Sequence, residues 1–304
     1  MRVLITGAAG FFGSRAAMHL AGHEVIGLDR PGVDRSRVDA LAPWMVVREV
    51  DLADASAVGA LVRELRPDVA IHLAWYAVPG KYLSAPDNMD HLAASMVLAQ
   101  ALAGAGCRRL LTAGTCFEYE TRTEAPLAET SLTAPRFLYS ACKLAMSEVL
   151  REACRISGMS YAHLRFFYQY GPWEAPGRIV PAVIGALLAG REAEVTLGDQ
   201  VRDFLHIDDV ASAIAAVVGS EIEGVINIGS GQPVCVRDVV AAAAHACERG
   251  DLVRLGALAY REGDPMFVCA DATKLRSTGW KPAYDLTRGM RDTVAWWRTR
   301  GSTT

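Results

Sequence analysis

No stretch of this 304-residue chain approaches the ~18 consecutive apolar residues that a membrane helix requires, and the Ala-rich segments near Ala93 and Ala241 are broken by polar side chains. A basic excess is missing too: 31 Lys and Arg stand against 34 Asp and Glu, scattered along the chain, for a net charge of −3. A nucleic-acid-binding protein carries the opposite signature, so neither nucleic acid nor membrane is expected as a partner. The seven cysteines are odd in number, dispersed, and contain no CxxC pair. That argues against a disulfide frame or zinc site, so reduced thiols and no metal are expected. Arg2–Thr6 (RVLIT) already reads as a strand and leaves no room for a leader, which makes the cytoplasm the expected location. Half of the residues are hydrophobic, enough to bury a sizeable core.

What is present is an alternation. Short β-branched runs at 3–5, 23–28, 45–50, 69–73, 109–113 and 161–166 are separated by amphipathic stretches at 12–21, 55–65, 86–104 and 139–157. Strict alternation of this kind predicts parallel β-α-β units wound into one sheet covered on both faces, and strands buried on both faces read as continuous apolar runs. After Gly171-Pro172 the rhythm changes, with helices expected at 182–189, 208–218, 237–247 and 287–297 and strands at 193–197 and 225–228. The fold class is therefore α/β, a Rossmann doubly wound sheet. Residues 1–168 are expected to form the dinucleotide-binding part, with 203–230 returning to it. A smaller interleaved substrate-binding domain is expected from 169–202 and 231–304.

Between the first strand and first helix lies Gly7-Ala-Ala-Gly10-Phe11-Phe12-Gly13. Glycines are needed where backbone turns sharply, where it touches a pyrophosphate, and where helix packs closely on strand. The following helix N-terminus offers free N–H groups and a positive dipole end to phosphates. A glycine triplet alone marks any tight strand-helix turn; this one also has the strand and helix that a dinucleotide site requires. Asp29 closes the second strand, where a carboxylate binds ribose hydroxyls and favours NAD. Arg30 beside it, with Arg35 and Arg37 near, is what a 2′-phosphate wants, so NADP stays open. Asp51-Leu52 ends the third strand, where Asp51 serves either an adenine contact or the cap of the next helix.

Tyr139-Ser-Ala-Cys-Lys143 puts a phenol and an ammonium four residues apart, on one helix face. A free tyrosine titrates near 10, too high for acid-base work at neutrality, and a neighbouring cation lowers that value. A surface Tyr and Lys one turn apart is common and means nothing alone; behind a dinucleotide turn it points to catalysis. Thr115, just past the fifth strand, offers a hydroxyl to orient the reacting oxygen, or serves only as a turn residue.

Together these motifs resemble the extended short-chain dehydrogenase/reductase family, its NAD-dependent epimerase/dehydratase group. The resemblance takes in His72-Leu73-Ala74, Tyr170-Gly-Pro172, Arg202-Asp-Phe-Leu-His-Ile-Asp-Asp209, Asn227-Ile-Gly229, Arg261-Glu-Gly-Asp264-Pro265 and Gly279-Trp280-Lys-Pro282. It implies Thr115, Tyr139 and Lys143 as the catalytic set, Leu73 and Ala74 at the cofactor, and Tyr168 at the substrate. It also implies Arg202 and Arg261 on a substrate diphosphate, Asp264 on a ribose, and a homodimer built through the helices at 87–104 and 139–157. Dehydratases of the family carry an Asp-Glu pair after the catalytic Thr; here Cys116-Phe117 stands there, and Cys116 reads as structural. Tyr168 stands where many 4-epimerases have Asn, and His91 where Asn is usual in the helix at 87–100.

The segments His72-Leu-Ala-Trp-Tyr-Ala-Val-Pro-Gly80 and Gly114-Thr-Cys-Phe-Glu-Tyr119 resemble nucleotide-sugar 4-ketoreductases of the CDP-abequose synthase kind. The expected activity is therefore NAD(P)H-dependent reduction of a nucleotide-linked 4-keto-6-deoxyhexose. A nucleotide-sugar 4-epimerase is the alternative, because the same three side chains serve both. Reduction of a non-nucleotide carbonyl compound would leave Arg202 and Arg261 without phosphates. A dinucleotide-binding regulator without turnover would have no need of Tyr139, Lys143 and Thr115 together.

Overall fold

The computed structural model describes residues 1–301. Its centre is a seven-stranded, wholly parallel sheet. The strands β1 (Arg2–Thr6), β2 (Glu24–Asp29), β3 (Val46–Glu49), β4 (Val69–His72), β5 (Arg109–Thr115) and β6 (Ser160–Phe166) are joined by a last strand, Gly224–Ile228. Across the sheet they run Gly224–Ile228, β6, β5, β4, β1, β2, β3. The order reverses between β4 and β1, which opens a crevice at the carboxyl ends of those strands, where such sheets bind ligands. β1, β4, β5 and β6 are buried along almost their whole length, which is why they read as continuous apolar runs.

Helices α1 (Phe11–His19) and α7 (Ile207–Val218) pack on one face, burying Ala16, Ala17, Val210 and Ile214 against Val3, Ile5 and Leu164. Helices α3 (Ala55–Leu65), α4 (Asp87–Gly104) and α5 (Leu138–Ser157) cover the other, with Val58, Leu98, Leu102, Met146 and Leu150 against Leu4, Ala70 and Leu110. A separate cluster joins α6 (Ile179–Leu188), α8 (Val236–Cys247) and α9 (Leu286–Gly301) through Ile184, Leu187, Val239, Val240 and Met290.

The structure corrects three local expectations. A short helix, α2 (Ser36–Leu41), follows β2. α6 begins at Ile179, and Pro181 sits inside its first turn, where a missing N–H costs nothing. The cap of α3 is Asp54, whose carboxylate accepts the Ala57 N–H at 2.9 Å; Asp51 instead closes its own turn through the Ala53 N–H at 2.9 Å and stays exposed. No helix among the described residues is long and apolar enough to cross a membrane.

Candidate active site

The glycine turn is packed so closely that side chains are excluded. Gly7 holds a left-handed φ of +71°, and a Cβ there would lie 2.8 Å from the Ala74 nitrogen; a Cβ on Gly13 would strike the Gly7 carbonyl oxygen. Leu73 and Ala74 are pinned alongside by the Leu73 N–H to the Thr6 carbonyl at 3.1 Å and the Ala74 N–H to Thr6 Oγ1 at 3.3 Å. Gly10 caps α1 without a side-chain hydrogen bond, so the N–H groups of Phe11 and Phe12 remain available to phosphate oxygens. The turn is thus a backbone cradle that fits a dinucleotide pyrophosphate.

Asp29, at the end of β2, reaches back to this turn, and its Oδ2 accepts the Ala9 N–H at 2.7 Å. Burial raises its carboxyl to about 6, against the Ala9 hydrogen bond and the Arg35 charge. Arg30 is exposed. Arg37 turns elsewhere: its guanidinium donates to the Trp173 carbonyl at 3.2 Å and the Ala9 carbonyl at 3.5 Å, bracing the turn. Leu52 packs against the core beside the exposed Asp51.

Thr115 is the last residue of β5, one position inside the strand rather than beyond it. Its Oγ1 accepts the Phe117 N–H at 3.3 Å, leaving the hydroxyl proton to donate. Tyr139 stands in the first turn of α5, its own N–H donated to the Leu83 carbonyl at 3.0 Å. The Thr115 hydroxyl lies near enough to the Tyr139 phenol to act on its titration. Burial pushes the phenol well above its ordinary value; Tyr82, Glu118 and Cys116 add to this, and the Thr115 hydrogen bond opposes it.

Lys143 departs from the expectation that its ammonium lies beside the phenol. Nζ sits 3.6 Å from the centroid of the Trp75 ring and 5.9 Å from that of Tyr139. Shared helical spacing brings the two residues to one face, but the π-face of Trp75 takes the cation. Burial lowers Lys143 to about 7, and Glu118 and Cys142 hold it up. Trp75 is itself fixed, donating Nε1–H to Asn88 Oδ1 at 2.7 Å and stacking on His91 with centroids 5.4 Å apart.

On the side toward Tyr168, Arg202 donates to Asp264 Oδ1 at 2.9 Å and lies 5.3 Å from the Tyr168 ring centroid. Gln200 donates to the other oxygen of Asp264 at 3.1 Å. Arg202 and Asp264 are brought together, whereas Arg261 stays exposed on the turn whose carbonyl accepts the Asp264 N–H. Burial also pushes the Tyr168 phenol far up, and its ring meets Phe117 edge-on at 6.3 Å. Cys116 is buried, its thiol pushed up to about 12 by desolvation.

Sequence reasoning passed over Glu118 and Trp75. The signal for Glu118 was there: Tyr161, His163 and Arg165 alternate along β6, putting three polar side chains on one face of a buried strand.

The chain is similar over nearly its whole length to known proteins. A UDP-glucose 4-epimerase of Mycolicibacterium smegmatis is 29% identical over 316 residues, covering 99% of both chains. The crystal structure of the Thermus thermophilus UDP-glucose 4-epimerase complex with NAD superposes with a TM-score of 0.87 at 28% identity, over 98% of this chain and 99% of that one. A dTDP-glucose 4,6-dehydratase from Streptomyces venezuelae, solved with NAD bound, gives 0.87 at 25% identity over 99% and 98%. The model of the NAD dependent epimerase/dehydratase family matches residues 3–229, most of the chain, and the chain belongs to that family.

Proposed function

We propose that this chain is an NAD-dependent nucleotide-sugar 4-epimerase. The reading is supported by Thr115 at the end of β5 and Tyr139 and Lys143 on α5, in a chain similar over its full length to UDP-glucose 4-epimerases. Gly7, Gly10, Phe11, Phe12, Gly13, Leu73 and Ala74 would hold the pyrophosphate, Asp29 the adenosine ribose, Asp51 and Leu52 the adenine, and Lys143 the nicotinamide ribose. When bound, NAD supplies an acceptor, and then a donor, for hydride at the sugar carbon. Tyr139 takes the hydroxyl proton from that carbon and returns it after the sugar has turned over. Thr115 orients the oxygen by donating to it, and Arg202 meets the diphosphate by exchanging its Asp264 partner for phosphate oxygens.

Elimination of water would need an acid and a base next to Thr115. Cys116 is buried with a raised thiol, and Phe117 cannot exchange a proton, so dehydration lacks both. The reductase reading placed first on sequence gives way, because relatives matching the full length include 4-epimerases. One observation keeps it as a second reading: Phe117, Phe137 and Tyr168 form a contiguous aromatic wall, suited to the methyl group of a 6-deoxysugar. The experiment incubates the protein with UDP-glucose and with UDP-galactose, without added reductant, and follows 4-epimer formation. Interconversion supports the epimerase. Stoichiometric NADH or NADPH consumption with a nucleotide-linked 4-keto-6-deoxyhexose, and no interconversion, supports the reductase. The reading also takes α4 and α5 as a homodimer interface, since Met89, Val149 and Ile156 are exposed on them.

A further inference from the structure

Behind the catalytic loop lies a chain of buried polar side chains that proton transfer does not use. Glu118 Oε1 accepts the Thr115 N–H at 2.8 Å and sits 3.0 Å from His163 Nε2. Its Oε2 accepts from Arg165 Nε at 2.7 Å. His163 Nδ1 continues to Thr112 Oγ1 at 2.8 Å, and Thr112 to the Tyr161 hydroxyl at 2.8 Å. The side chains of Glu118 and His163 are wholly inaccessible, and that of Arg165 is 2% exposed. Gly114 is part of the device: a Cβ there would strike His163 Nε2 and come within 2.6 Å of Glu118 Oε1.

Stability is a poor reason for such a cluster, because well-packed apolar residues often serve a core as well as a buried ion pair. The placement of the carboxylate gives a better one. Glu118 acts electrostatically on both Tyr139 and Lys143, disfavouring the phenolate and favouring the ammonium. The other groups facing Lys143 are His72 from β4, His91 from α4 and Cys142 on its own helix; burial holds both histidines below their ordinary value. Tyr139 faces Tyr82 from the segment before α4 and Cys116 beside Thr115. Among these, Glu118 is the charge that both share.

We propose that Glu118 is a positioning residue for the reaction: anchored by His163 and Arg165, its carboxylate clamps the backbone of Thr115 and sets one fixed negative charge at the Tyr139–Lys143 pair. This rests on the catalytic assignment above. A carboxylate there makes Lys143 hold its proton to higher pH and makes Tyr139 release its proton only at higher pH. Removing the charge moves both limbs of the activity profile toward lower pH. A purely structural residue would scale the activity without moving its profile.

The test compares the wild-type holoenzyme with Glu118→Gln, which keeps an acceptor for the Thr115 N–H while removing the charge. Glu118→Gln/Arg165→Met is prepared beside it, so that no buried guanidinium is left unpaired. Two quantities are measured across pH: kcat with UDP-glucose, and the dissociation constant of NADH by fluorescence. Both variants are expected to lose about tenfold to a hundredfold in kcat, with KM within about threefold, and to show both limbs at lower pH. NADH affinity is expected to weaken at a lower pH than in the wild type, as Lys143 loses its proton sooner. A folded variant with wild-type pH profiles overturns the proposal. If the wild type turns over no nucleotide sugar, the catalytic reading falls, and the NADH titration still decides whether Glu118 acts on Lys143.

Discussion

Asp29 carries a destabilising charge that a single substitution should expose. Asp29 is 9% exposed, and its carboxylate has one hydrogen-bond donor, the Ala9 N–H. Burial raises its pKa from 3.8 to about 6, and at about 1.4 kcal/mol per pH unit this is on the order of 3 kcal/mol against the folded state at neutral pH. The sign follows from the direction. A group with a raised folded pKa binds its proton more tightly when folded. The charge therefore costs nothing below about pH 4, its penalty grows between about 4 and 6, and the full penalty is present above 6. Asp29→Asn keeps an acceptor for the Ala9 N–H and never ionises. Denaturant unfolding of cofactor-free protein should find the variant more stable by about 1–3 kcal/mol at pH 7.5, with the gain shrinking toward pH 4. With NAD present the order should reverse, because ribose hydroxyls offer Asp29 the donors it lacks and ligand stabilisation scales with affinity. A variant no more stable than wild type at pH 7.5, or a gain independent of pH, would refute the reasoning.

Tyr139→Phe removes the proton carrier but little binding area, so kcat should fall by about 10²–10⁴-fold with NADH affinity nearly unchanged; activity within a few-fold of wild type removes Tyr139 from the mechanism. Gly13→Ala drives a methyl group into the Gly7 carbonyl, and equilibrium dialysis should show loss of NAD binding together with a stability loss of about 1–3 kcal/mol. Trp75→Leu deprives Lys143 of its π-face and should weaken NADH binding, whereas Trp75→Phe should retain most of it; equal loss in both would exclude the ring as the reason. Arg202→Ala should mainly raise KM for the nucleotide sugar and leave NADH affinity alone, and a change confined to kcat would remove it from substrate binding.

The parallel sheet was legible because its strands are buried on both faces and its helices are long enough to show a period. Strand limits shifted by only a few residues, as with 109–113 against Arg109–Thr115. Of the short strands after Phe166, Ala193–Glu194 lies within the expected 193–197, and the others were not legible. Val201–Arg202 pairs with Val234–Cys235 on one side and Phe267–Val268 on the other. Two-residue strands carry no period, and their partners are remote in sequence. At the site, spacing brought Tyr139 and Lys143 to one helix face, but the direction of the ammonium depends on Trp75, which arrives from the loop after β4. For Glu118 the alternation along β6 signalled a buried polar face but not what it meets. Its partners, His163 and Arg165, come from another strand, and only the register of β5 on β6 reveals that they converge.

The position of the strand Gly224–Ile228 has a consequence for how the protein comes into being. It seats itself beside β6 although α6 and α7 lie between the two in sequence. Until it arrives, β6 is a bare edge in a chain still being synthesised, with unpaired amides open to association with other chains. The same strand carries Asn227, whose Oδ1 accepts the Tyr119 hydroxyl at 2.8 Å, just beyond the turn after β5 that holds Glu118. A ribosome that has released residues 1–166 has therefore delivered Thr115, Tyr139 and Lys143 without the Asn227 brace on Tyr119. Pairing across so long an interval is slow to form. Nascent chains stopped before residue 224 should aggregate rather than bind cofactor, and catalytic competence should appear only after the last strand has docked.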